Sequence, residues 1–229
     1  MVPLVVIRPE PGCSNTVAAA RAAGIACHGF PLFEVAARSW EGLAPQGFDA
    51  LLIGSANALR HGGPGLAALR ALPVLAVGET TAAEARAAGF SVAQTGAGGL
   101  QSLLDNLPTR CTRLLRLGGE ERVPLNPPKG VSIEERVVYA TRSLPFPPDL
   151  AALLASPAII ALHSADAARH LAAQCVSHAI RRARLRLVAL SPRIAQAAGE
   201  GWGEVAAAAN PDDKALLALA RQMCQDPWP

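Results

Sequence analysis

A seven-residue segment occurs twice in this chain, and that repeat constrains the fold more than any other feature. Ser55-Ala56-Asn57-Ala58-Leu59-Arg60-His61 matches Ser164-Ala165-Asp166-Ala167-Ala168-Arg169-His170 at five of seven positions. An apolar run precedes each copy. Each is followed by a second run and turn, Pro73-Val74-Leu75-Ala76-Val77-Gly78-Glu79 against Arg186-Leu187-Val188-Ala189-Leu190-Ser191-Pro192. A helical stretch then closes at Gly89 or Gly199. Alanine richness inflates such matches, but Ser, Arg and His at fixed offsets do not come from alanine. The repeat reads as a duplicated α/β unit, and therefore as two similar domains.

The rest of the chain extends the same alternation. Short apolar runs bounded by Gly, Pro, Ser and Asn predict strands at 4–8, 27–33, 50–53, 74–77, 91–94, 113–117, 133–139, 159–163, 186–190 and 203–207, with helical stretches between them. Unbroken apolar strands alternating with helices signal parallel sheets covered on both faces. Ten strands are many for one compact sheet, so two sheets of about five are expected. The first strand–helix–strand, 4–33, has its partner at 113–139, which makes the middle of the chain an insertion. The expected domains are 1–35 with 142–229, and 38–139. The chain would cross twice, near 33–38 and 138–142, forming a two-stranded linker with a cleft beside it.

Charge and cysteine content narrow the function classes. A formal net charge of +3 is far from the concentrated positive face of a nucleic-acid binder. The five cysteines, Cys13, Cys27, Cys111, Cys175 and Cys224, are scattered with no C-x-x-C pair, which argues against a disulfide framework and against a zinc site. The opening Val2-Pro3-Leu4-Val5-Val6-Ile7 has no basic leader, and no stretch approaches the ~18 apolar residues of a membrane span. A soluble, cytoplasmic protein is expected, with Asp226-Pro227-Trp228-Pro229 as a frayed tail.

In parallel sheets ligands collect at the carboxyl ends of strands, where helix N-termini present free N–H groups. Here those turns are small and polar: Gly12-Cys13-Ser14-Asn15, Gly54-Ser55-Ala56-Asn57, Gly78-Glu79-Thr80-Thr81, Gly96-Ala97-Gly98-Gly99, Gly118-Gly119, Ser164-Ala165-Asp166 and Ser191-Pro192-Arg193. Singly, each is equally a helix cap or a turn. Together they describe anion-receptive rims suited to a ligand with many carboxylates. Arg8, Arg60, Arg122, Arg142, Arg169 and Arg193 lie near strand ends or in first helical turns, where a guanidinium can pair a carboxylate. Tyr139, the sole tyrosine, ends a strand and is either a phenol donor or a boundary tyrosine with a buried ring. The histidines, His163 among them, show no metal-ligand spacing. No phosphate-binding loop, dinucleotide fingerprint or nucleophile elbow occurs.

Taken in order, these segments resemble the uroporphyrinogen-III synthase family over nearly the whole chain. The resemblance is carried by Val5-Val6-Ile7-Arg8-Pro9-Glu10-Pro11-Gly12, Phe30-Pro31-Leu32-Phe33-Glu34 and the segment from Phe48 to Arg60. Ala76-Val77-Gly78-Glu79-Thr80-Thr81-Ala82, Val138-Tyr139 and Leu190-Ser191-Pro192-Arg193 complete it. It implies two flavodoxin-like, doubly wound domains, the substrate hydroxymethylbilane, no cofactor or metal, and a monomer with handover from hydroxymethylbilane synthase. It implies Tyr139 as the residue assisting hydroxyl departure. Substrate contacts are implied at Arg8, Ser55, Ala56, Asn57, Gly78, Thr80, Thr81, Gly98, Gly118, Ser164, Ser191, Arg193 and Ile194. At Arg193-Ile194 some relatives carry a threonine pair, so the resemblance does not carry a hydroxyl contact to this position, where Arg193 could pair a carboxylate instead. Two other classes stay open on the residues alone: a non-catalytic module that closes on an anion, and a Rossmann-like nucleotide enzyme without its glycine fingerprint.

Overall fold

The computed structural model describes residues 2–225, and Asp226-Pro227-Trp228-Pro229 lies outside the described residues. The strands are β1 (Leu4–Val6), β2 (Cys27–Gly29), β3 (Phe33–Ala37), β4 (Ala50–Ile53), β5 (Val74–Val77) and β6 (Val92–Gly96). They continue with β7 (Arg113–Gly119), β8 (Ser132–Ser143), β9 (Ala158–Leu162), β10 (Leu185–Ala189) and β11 (Glu204–Ala207). The helices are α1 (Gly12–Ala22), α2 (Asn57–His61), α3 (Gly78–Ala87), α4 (Leu100–Asp105), α5 (Pro148–Leu154), α6 (Ala165–Ser177), α7 (Pro192–Ala197) and α8 (Asp213–Gln225). The chain divides into two compact units, Met1–Glu34 with Ser143–Pro229, and Val35–Arg142.

The first unit is built on a parallel sheet in the order β11-β10-β9-β1-β2. Successive side chains of a strand leave on opposite faces, so an all-apolar strand must be covered twice. Leu4 and Val6 join Ile159, Ala161 and Val188 in a core closed by Val17 of α1 and Leu216, Leu217 and Ala220 of α8. Val5, Ile160, Leu162 and Leu187 form the opposite core with Leu150, Leu154, Leu171 and Ile194 from α5, α6 and α7. The α8 residues that meet the sheet recur at helical spacing, and Asp212 Oδ1 accepts the Ala215 N–H at 2.8 Å, capping the helix.

In the second unit the sheet runs β3-β8-β7-β4-β5-β6. The pairs β8/β7, β7/β4, β4/β5 and β5/β6 are parallel. Leu51, Ile53, Val74, Ala76, Leu115 and Leu117 pack on one face against Leu59, Leu66, Ala82 and Ala85. Ala50, Leu52, Leu75 and Leu114 pack on the other against Leu103 and Leu104 of α4. Apart from the edge strand β3, this sheet has the same spatial plan as the first. β7 and β8 take the places of β1 and β2, and β4, β5 and β6 those of β9, β10 and β11. In the first sheet that plan is the 2-1-3-4-5 order of doubly wound sheets, whereas in the second the chain enters it at β4 and the order along the chain is 5-4-1-2-3. The two copies of the repeat follow β4 and β9, the same position in each sheet.

Two expectations are corrected. The predicted strand at 27–33 is two strands, β2 and β3, belonging to different sheets. Pro31 interrupts it because it has no N–H to offer a ladder. The 113–139 segment was expected to be a strand–helix–strand, but residues 120–131 between β7 and β8 contain no helix. Pro124, Pro127 and Pro128 followed by Gly130 remove donors and stiffen the chain there. Leu125 and Val131 from this segment cover the sheet face that a helix would otherwise cover.

Candidate active site

In the second unit the connections leave β7 and β4 toward opposite edges of the sheet, so a crevice opens beyond their carboxyl ends. A cavity of about 390 Å³ lies there. Gly54 and Ser55 after β4, Gly98 and Gly99 before α4, and Gly118 and Gly119 at the end of β7 line it, with Arg116, Arg122 and Tyr139. Four of the residues expected to serve the site, Ser55, Gly98, Gly118 and Tyr139, are therefore brought together.

Backbone geometry makes this wall receptive to anions. Ser55 Oγ accepts the Asn57 N–H at 3.3 Å, and the Ser55 carbonyl accepts that of Ala58 at 3.0 Å. Among the described residues the N–H groups of Ser55 and Ala56 take no partner. Gly98 and Gly99 have φ of +88° and +101°, a left-handed conformation that glycine adopts without the strain imposed by a Cβ. Ala56 itself is buried at 7 % exposure, so it can offer only its backbone.

Tyr139 is half-buried and packs against the core that holds Val138 and Leu117. It stands opposite Gly119 in the β7–β8 register, and its ring covers that glycine. Among the described residues its hydroxyl has no hydrogen-bond partner. The His61 ring lies 6.5 Å away, tilted 45°. Burial first, and Arg60 next, push His61 below its ordinary value, so it is neutral at pH 7.

Two arginines of the lining share one carboxylate. Arg116 Nη1 donates to Glu135 Oε1 at 2.8 Å, and Arg122 Nε donates to Glu135 Oε2 at 2.6 Å. Burial works to raise Glu135, but the hydrogen bonds from Arg122 and Arg116 outweigh it and hold the carboxyl below its usual range. Among the described residues no group of His, Cys, Asp and Glu side chains has the makings of a metal site.

The corresponding place in the first unit, beyond β1 and β9, is filled by the chain's own groups. Arg8 Nη1 donates to Asp213 Oδ2 at 3.1 Å and Thr16 Oγ1 donates to the same oxygen at 2.8 Å. His163 Nε2 is 3.2 Å from Asp213 Oδ1, close but not aligned as a hydrogen bond. His163 first, then Thr16 and Arg8, hold Asp213 at about 2 against the opposing effect of burial. A carboxyl lowered from its ordinary 3.8 stabilises the fold above that pH and loses the contribution as pH falls toward 2. Over a third of the Asp213 side chain is exposed, so solvent screening reduces the effect. Asp213→Asn is expected to cost about 1 kcal/mol at pH 7 after that discount. Urea unfolding of both proteins at pH 7 and again below pH 3 checks it, and the gap should narrow at the lower pH.

The other expected residues are distributed differently. Ser164 caps α6, its Oγ accepting the Ala167 N–H at 3.1 Å. Ser191 precedes α7, and Arg193 is exposed in the first turn with no ion-pair partner among the described residues. Ile194 has its side chain in the core at 5 % exposure and gives its N–H to the Ser191 carbonyl at 3.1 Å. Gly78 begins α3 at φ +75°, Thr80 is exposed and Thr81 is buried, and none of the three lines the β7–β4 cavity.

Residues 14–218 match the family described as uroporphyrinogen-III synthase HemD. The chain belongs to the uroporphyrinogen-III synthase family. Membership places it among enzymes of tetrapyrrole biosynthesis. The fold resembles that of uroporphyrinogen-III synthetase from Helicobacter pylori, with TM-score 0.68 and 20% identity over 97% of this chain and 100% of that one. It also resembles mutant uroporphyrinogen III synthase from the extremely thermophilic bacterium Thermus thermophilus, with TM-score 0.55 and 18% identity over 99% of this chain and 100% of that one. Among curated proteins none matches in sequence. No described helix is long and apolar enough to cross a membrane.

Two residues were missed in the sequence: Arg116, in the wall of this synthase-family cavity, and Glu135, its partner behind that wall. Arg116 carried a signal, a lone charge inside the apolar run Leu114-Leu115-Arg116-Leu117. Glu135 carried none, because its role comes from the parallel register that sets it beside Arg116.

Proposed function

We propose that the chain closes hydroxymethylbilane into uroporphyrinogen III, with loss of water and inversion of the last pyrrole ring. The single observation behind this is an unpartnered phenol, Tyr139, set in a wall of glycine amides and arginines. Tyr139 donates its proton to the terminal hydroxyl, which departs as water and leaves an azafulvenium carbon and a tyrosinate. The substituted carbon of the last ring bonds to that carbon, giving a spiro intermediate. The bond joining this ring to the rest of the chain then breaks, and the ring recloses through its free carbon. The proton released on closure returns the tyrosinate to the phenol, so the net change is loss of one water.

Closure without inversion occurs spontaneously once the azafulvenium forms. The protein's task is therefore to bind the inverting transition state more tightly than the direct one. Carboxylates of the substrate give it the purchase. The Ser55 and Ala56 amides, the Gly98 and Gly118 turns and the arginines hold them in the second unit. The same reading has hydroxymethylbilane handed over by the synthase that makes it, and the chain acting as a cytoplasmic monomer. Incubation with hydroxymethylbilane, followed by oxidation and isomer separation, tests the reaction. Isomer III is expected, and isomer I alone would sink it.

A further inference from the structure

We propose that Arg116 receives one carboxylate of the substrate in the hollow left by the missing side chain of Gly118. The inference rests on the proposed reaction for the identity of that carboxylate. It begins from a cost. Arg116 is 4 % exposed inside β7, between leucines that are 1 % exposed or less. A guanidinium in such a place is strongly penalised unless its charge and its donors are matched.

The matching is incomplete. Nη1 donates to Glu135 at 2.8 Å and to the Val123 carbonyl at 3.1 Å. Nε is buried and has no hydrogen-bond partner. Glu135 is also shared, because Arg122 takes its other oxygen. Two guanidinium charges thus meet one carboxylate. Glu121, also in the lining, is exposed and pairs with neither arginine among the described residues. The cluster lacks one negative charge and one acceptor, and a carboxylate supplies both.

Gly118 shows where that carboxylate fits. A Cβ built there would stand 3.8 Å from Arg116 Nε and 3.8 Å from Arg122 Cδ, with nothing nearer. The position takes an added atom without a clash, in ordinary contact with both arginines, and belongs to the wall of the cavity. The ordinary alternative is that the arginines only fasten residues 120–131 across the sheet. Fastening accounts for the bonds to Val123 and Glu135 but leaves Nε unexplained.

Two variants and one spectrum separate these cases. Arg116→Lys keeps the charge but loses the Nε donor, and Gly118→Ala fills the hollow without touching the ion pairs. Each is expected to raise KM for hydroxymethylbilane about tenfold, the scale of one charge-assisted hydrogen bond, with kcat changed far less. In wild-type protein labelled with ¹⁵N-arginine, the Nε–H signal missing from Arg116→Lys should move on adding uroporphyrinogen III, and stay still in Gly118→Ala. If wild type forms isomer III while neither variant moves KM and the signal does not respond, Arg116 is a structural fastener and the assignment is overturned. If wild type forms only isomer I, the proposed reaction fails instead. A folding defect in Arg116→Lys leaves Gly118→Ala to decide, because its backbone has room for a methyl group.

Discussion

Tyr139→Phe is expected to lower kcat about 10²–10⁴-fold, the range lost when a positioned proton donor is removed. The substitution takes away one oxygen and leaves the ring, which packs on the core around Val138 and Leu117. Among the described residues the hydroxyl has no hydrogen bond to lose, so the melting temperature and KM should stay close to wild type. The products should change as well. Bilane left waiting for assistance loses its hydroxyl in solution and closes without inversion, so isomer I should grow at the expense of isomer III. Timed conversion with isomer separation measures both effects. Unchanged turnover would remove Tyr139 from proton transfer while leaving the cavity around it intact.

Much of the scaffold was legible because buried parallel strands have simple signatures. β4 and β5 begin and end at the residues predicted from their apolar runs. Both are buried on two faces, which makes them unbroken stretches of Ala, Val, Leu and Ile between turn residues. Gly89 and Gly199, expected to close equivalent helices, have φ of +86° and +71° just after α3 and α7. Only glycine takes that conformation cheaply, so the residue type carried the boundary.

What failed depended on information that does not lie along the chain. The run at 27–33 looks continuous, but its halves serve different sheets, and which sheet claims a strand is a matter of pairing. Residues 120–131 fill a helix's place without being helical, because covering an apolar face needs only side chains such as Leu125 and Val131. The site was partly legible for a related reason. Sequence marks turns rich in potential donors, but it cannot tell which donors are already committed. Ser55 and Ile194 both sit at helix starts, yet the Ser55 N–H is free among the described residues while that of Ile194 goes to Ser191. Arg8 is bound to Asp213, a residue 205 positions away. Pairings of that span belong to the folded chain.

Gly119→Ala is expected to lower turnover about 10²-fold without touching the phenol chemically, since displacement by an ångström can cost that much. A Cβ at this buried glycine would stand 2.7 Å from Tyr139 Cε2, 2.8 Å from Cζ and 3.1 Å from the hydroxyl. Those separations are too short to persist. The tyrosine backbone is not free to retreat, because its carbonyl accepts the Glu120 N–H at 3.0 Å and its neighbour Val138 is fully buried. The ring must therefore swing, and the hydroxyl moves with it. Stability should fall by about 1–3 kcal/mol, as overpacking usually costs, which leaves turnover measurable. The decisive readout is the double variant with Tyr139→Phe. Two substitutions acting on the same hydroxyl cannot add, so it should be no slower than Tyr139→Phe alone. If the two losses multiply instead, Gly119 serves the reaction by some route other than holding Tyr139 in place.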